Sequence, residues 1–121
     1  YIQDKTLYQQ DNKIFTHVMG LSDIYLGFDV DKYSQNDSFY AGVKVTIEKR
    51  PHFHNLCIVH DNRVIATLST AFQAILQEKL NLGYHFEYVV IDSVVVWFDK
   101  TNKRNLKHPL CKIVLTRNQK N

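Results

Sequence analysis

The sequence predicts a mainly β fold with one helix, arranged as a small five-stranded barrel. Three observations predict it. Apolar residues recur at every second position through most extended segments, and Phe39, Ala41, Val43, Val45 and Ile47 form the clearest such run. The period becomes helical only between Ala66 and Leu82. Gly20 and Gly27 interrupt the first extended stretch, as a strand bending to serve both halves of a closed sheet requires. A length of 121 residues, 45% of them hydrophobic, suits one core and hardly two.

Residues 1–12 are polar and unpatterned and read as an N-terminal arm, which leaves 13–121 as a single domain. Ile14 to Val30 is the first strand, with Ile24, Leu26, Phe28 and Val30 on one face. Lys32 to Ser38 is a loop. Phe39 to Arg50 is the second strand and Pro51 ends it. Asn55 to His60 is the third, and Asp61-Asn62 suits a two-residue hairpin turn before a short return strand at Arg63-Val64-Ile65.

In the helix, Leu68, Ala71, Phe72, Ile75, Leu76 and Leu82 fall on one stripe, with Gln73, Gln77 and Lys79 outside it. Thr70 and Gln73 have capping-box spacing, Thr67 is a rival cap, and Gly83 stands where a left-handed residue ends a helix. Phe86 to Phe98 is a long strand with its bend at Asp92-Ser93. Asp99 to Pro109 reads as a basic loop, and Cys111 to Thr116 as the last strand. Cys57 and Cys111 lie in apolar strand patterns and read as buried, reduced thiols, which leans toward an intracellular, including nuclear, setting. The longest apolar run, Val94 to Phe98, is too short to cross a bilayer, so the chain reads as soluble. A start at Tyr1 rather than Met leaves room for a longer precursor.

Charge is unevenly placed. Residues 1–99 carry eight bases against twelve acids, a net of −4, whereas residues 100–121 carry seven bases and no acid. The total of +3 hides this division.

The order of elements over residues 14 to 117 resembles the OB-fold, a five-stranded partly open barrel with a helix between strands three and four. In size and strand order the chain also resembles small subunits of replication protein A and of the telomeric CST complex. That resemblance implies a non-catalytic subunit that binds a protein partner and single-stranded DNA or RNA, without a cofactor. It implies contacts from the outer face of strands two and three and from two loops. Those positions are Lys32 and Tyr33 in the first loop, Tyr40, Lys44, Thr46 and Arg50 on the second strand, and Lys100, Lys103, Arg104, Lys107 and His108 in the second loop. Lysines and arginines there would neutralise phosphates while aromatic rings accept bases. Basic loops are also commonly just solvated, and acids earlier in the chain can neutralise them.

Two chemical alternatives compete. Asp29 or Asp31, Glu78 and Asp92 have the strand, helix and strand placement of a two-metal nuclease similar to RNase H. His52, His54 and His60 share parity and could converge on zinc. The HxH pair lacks the accompanying Glu and glycines of a cupin motif, and neither a nucleophile elbow nor GxxxxGK[ST] occurs. A third possibility is a protein adaptor docking near Val95 and Trp97, although core packing is the commoner fate of such residues.

Overall fold

The computed structural model describes residues 14–26, 39–100 and 103–117. The predicted arm, the loop carrying Lys32 and Tyr33, and the acids Asp29 and Asp31 lie outside the described residues. Strands β1 (Ile14–Val18), β2 (Ile24–Tyr25), β3 (Thr46–Glu48), β4 (Cys57–His60) and β5 (Arg63–Leu68) precede helix α1 (Thr70–Asn81), and β6 (His85–Asp99) and β7 (Arg104–Thr116) follow it. They form a three-stranded sheet in the order β1-β7-β6 and a four-stranded sheet in the order β2-β5-β4-β3. The pairs within both sheets are antiparallel.

The mainly β class with one helix holds; the closed five-stranded barrel does not. Both sheets are open, and the helix lies between the fifth and sixth strands rather than the third and fourth. The difference arises because two predicted strands each divide between the sheets. The first turns at Gly20 into a 3-10 turn, Leu21–Asp23, so that Ile14–Val18 pairs with β7 and Ile24–Tyr25 with β5. The second meets β6 through an isolated bridge at Lys44 and Val90, with Gly42 N–H donating to Ile91 O and Val45 N–H to Val89 O. It then pairs with β4 as β3. The return strand after Asp61-Asn62 is also full length, and both turn residues take the left-handed φ that a tight hairpin needs (53° and 64°).

The corner between β1 and β2 is fixed by side chains. The His17 ring stacks on Phe72 at 4.7 Å and its Nε2 lies 3.0 Å from Asp23 Oδ2, which also accepts the Gly20 N–H. Asp23 O in turn accepts the Ser69 N–H at the start of the helix. Ser69, rather than Thr70 or Thr67, caps α1, its Oγ accepting from Phe72 N–H. At the other end Tyr84 N–H donates to Lys79 O and Gly83 N–H to Leu80 O, with Gly83 at φ 97°, a Schellman stop at the position the sequence predicts.

The main core packs Phe72 and Leu76 of the helix against Ile58, Ile65 and Leu68 of one sheet and Val89, Ile91, Ile113 and Leu115 of the other. Burying each such side chain contributes about 1.5–3 kcal/mol. Cys57, Val59 and Val64 form a second cluster under Phe53. The rest of the predicted helical stripe, Ala71, Ile75 and Leu82, faces outward.

Candidate nucleic-acid interface

The sequence expectation for residues 99 to 109 changes most. Lys100 and Lys103 are turn residues, and from Arg104 the chain is strand, paired through Asp99 and Arg104, Phe98 and Asn105, Trp97 and Leu106, Val96 and Lys107, and Val95 and His108. Among the described residues, nothing else pairs with either strand beyond Ser93 and Leu110. The result is a two-stranded ribbon projecting from the three-stranded sheet. Lys100 and Lys103 are exposed at its turn, with Lys103 at φ 52°.

Side-chain direction along this ribbon follows from β7. Both register shifts of the β6–β7 pair fall on β6, at Glu87 and Asp92, so β7 alternates without a break. Its odd positions Pro109, Cys111, Ile113 and Leu115 are fully buried. Its even positions, Leu106, His108, Leu110, Lys112 and Val114, share the opposite face with their cross-strand partners, and that face is itself buried at Leu110, a core residue, and at Val114.

Two rows cross that face from strand to strand. Lys112 stands opposite Val90 on one side and Val18 on the other, and Val90 in turn faces Lys44. Val114 stands between Tyr88 and Thr16, and the Tyr88 ring is 40% exposed. Further out, Trp97 faces Leu106 and packs its ring 5.3 Å from that of His108. His108 Nδ1 lies 3.3 Å from Val95 O; a carbonyl only accepts, so this contact places the proton on Nδ1. From Trp97 to the Lys112 row is six residue rises, about 20 Å. This face thus presents Trp97 toward the ribbon end and, beyond the buried Leu110, Tyr88 near a cross-strand row in which Lys44 and Lys112 flank Val90.

The opposite face of the ribbon is also apolar. Val96 and Phe98 alternate with Trp97, and all three are more than half exposed, at 52%, 60% and 57%. Lys107 lies on this second face, with Nζ 4.5 Å from the centroid of the buried Phe39 ring.

The predicted site residues are only partly brought together. Lys44 joins Lys112, and Lys100, Lys103 and Lys107 share the ribbon with the backbone of Arg104. Tyr40 is exposed before the bridge to β6. Arg50 is committed elsewhere: its Nε donates to Glu48 Oε1 and its Nη2 to Asn62 Oδ1, both at 2.9 Å. The Thr46 hydroxyl and Arg50 together hold the Glu48 carboxyl below its ordinary range. These residues line an open depression of about 310 Å³ beside Lys44. Trp97 was visible in the sequence as a docking candidate, whereas Tyr88 and Lys112 became legible only once the register placed them on one face.

The histidine set is not brought together, and Asp29 and Asp31 of the carboxylate set lie outside the described residues. Among the described residues, no three His, Cys, Asp or Glu side chains are placed to hold a metal ion. Asp92 is the exposed bulge of β6, Glu78 is exposed on the helix, and His52 and His54 are exposed while His60 packs edge-on against Phe39. No helix among the described residues is long and apolar enough to cross a membrane. Comparison with family models, curated proteins and solved structures finds no match to this chain.

Proposed function

We propose that this chain is a non-catalytic binding module that holds single-stranded nucleic acid along the outer face of its three-stranded sheet. The supporting observation is that exposed Trp97, Tyr88 and Lys44, with half-buried Lys112, lie on the same side of the β6–β7 pair, Tyr88 near the row in which Lys44 and Lys112 flank Val90. Rings accept unpaired bases by stacking, at about 1–3 kcal/mol per base and with little regard to sequence, and lysines neutralise phosphates beside them. A duplex hides its base faces, so rings presented on an open sheet favour a single strand. Lys100 and Lys103 at the ribbon turn extend the positive surface.

Trp97 is the only tryptophan, so its fluorescence reports directly on this face. Titrating single-stranded DNA and RNA should quench it, and Trp97→Ala should weaken binding about tenfold for all sequences. Replacing Lys44 and Lys112 with Ala should lower the slope of log affinity against log salt by about 1 per lysine. Unquenched fluorescence with no salt-sensitive binding would reject the proposal.

A second reading, docking on a protein partner within a larger replication- or telomere-type assembly, is favoured by Ile75 exposed on the helix beside Ala71 and by Leu82 exposed at its C-cap. Replacing Ile75 and Leu82 with Ser should then abolish capture of that partner and leave nucleic-acid affinity unchanged.

A further inference from the structure

We infer that the free edge of β1 is a self-association site, pairing antiparallel with β1 of a second copy so that two three-stranded sheets become one continuous sheet. The inference does not depend on the nucleic-acid reading above. It starts from one backbone bond: Met19 N–H donates to Cys111 O, one step beyond the pair Val18 and Lys112 in the β1–β7 register. Bonded pairs alternate in an antiparallel ladder, so His17 and Phe15 bond to β7 while Ile14, Thr16 and Val18 turn their N–H and C=O groups away from it. Among the described residues, no strand lies beyond β1.

The same three residues have exposed side chains, Ile14 and Val18 by more than half. Natural sheet edges are blunted by lysine, proline or a bulge, and β1 has none of these, its register against β7 running unbroken. It is open to pairing. A second copy supplies the matching strand, because a twofold axis through Thr16 sets Ile14 opposite Val18 of the other copy and Thr16 opposite itself. In that register every outward N–H and C=O of Ile14, Thr16 and Val18 finds a partner, and the side chains form β-branched cross-strand pairs. Charge favours the same arrangement. Glu87, which accepts from the Thr116 hydroxyl beside Ile14, marks one end of the edge, and Lys112 beside Val18 marks the other. Antiparallel addition brings opposite signs to each end, whereas parallel addition would set like beside like. The edge is short, which fits a transient pair burying less than about 1,200 Å².

Sedimentation velocity on the full chain, without nucleic acid and from about 1 µM to about 1 mM, should show monomer passing into dimer. Thr16→Pro deletes an N–H that points away from β7, so the melting temperature should hold while the dissociation constant rises at least about tenfold. Disulfide formation under mild oxidation reads the register, since Cys57 and Cys111 are buried. Thr16→Cys should cross-link, with Cα atoms about 5.5 Å apart across the axis. Ile14→Cys should not, because the two copies of that position lie about 14 Å apart along the strands. A monomer throughout the range overturns the inference. So does a dimer that Thr16→Pro leaves equally tight, or cross-linking of Ile14→Cys as complete as that of Thr16→Cys. If Thr16→Pro lowers the melting temperature, the cross-linking pattern decides.

Discussion

Cys111 lies at the centre of β7 with no exposed surface, and burial pushes its thiol up from the ordinary 9.0 to about 12. Cys57 is shifted the same way by burial, with Arg50 and Lys49 opposing the shift. Below pH 9 a raised thiol has no pH effect on stability, since folded and unfolded chains both keep the proton. Between 9 and about 12 the unfolded chain releases it and the folded chain does not. Stability therefore falls as pH rises, by about 1.4 kcal/mol per pH unit for Cys111 at the full slope. Urea unfolding across that range should show a shallower decline in Cys111→Ala than in the parent; equal declines would show that the thiol does not carry it. The buried thiols were legible from their apolar strand context. The fate of individual cations was not, because it depends on contacts distant in sequence. Arg117 Nη1 donates to Leu82 O at the helix end and its guanidinium packs on Tyr84, while Lys79 lies over Phe15. Part of the basic tail thus neutralises a helix C-terminus, and Lys100 and Lys103 remain exposed for a ligand.

At the level of elements, α1 depends on both of its ends, because only Phe72 and Leu76 of its side chains are buried. Ser69 supplies the N-terminal cap and also ties the helix to Asp23 through its backbone. Ser69→Ala removes the side-chain acceptor and keeps the backbone bond, so chemical denaturation should show a loss of about 1 kcal/mol. Ser69→Gly should cost only a few tenths through the cap, and a loss as large as that of Ala would point to the backbone corner instead. The C-terminal stop was readable because the left-handed residue that ends a helix is usually glycine. The N-terminal cap was displaced by one position, since Thr67, Ser69 and Thr70 all have suitable side chains. The ribbon was hidden for a different reason. Asn105, Lys107 and His108 read as loop residues when no buried face is expected, yet strands of an exposed two-stranded ribbon need only each other's backbone. Pro109 is tolerated within β7 because, among the described residues, β6 is its only neighbour there.

Across the whole molecule, stability should be graded along β6 and β7, and the proposed function uses that gradient. Cys111 to Leu115 form the middle of a central strand, bonded to β1 on one side and β6 on the other and buried at every odd position. Val96 to Phe98 and Asn105 to Leu106 belong to the ribbon; Leu106 is half-buried and the others are exposed, and among the described residues each segment has a single neighbouring strand. Opening the ribbon breaks a few ladder bonds and disturbs little apolar packing, whereas opening the central strand dismantles the core shared by both sheets. Amide exchange should therefore sort one continuous hairpin into two classes. Ribbon amides should exchange by local opening, insensitive to low denaturant, and those of Cys111 to Leu115 only with global unfolding. Adding single-stranded nucleic acid should slow the ribbon class selectively, because a strand laid across Trp97 and His108 must hold β6 and β7 together to keep its stacking surface. Uniform protection along the whole hairpin without ligand would mean that the ribbon is covered by another part of the chain, and the outer face would then be unavailable to a nucleic acid.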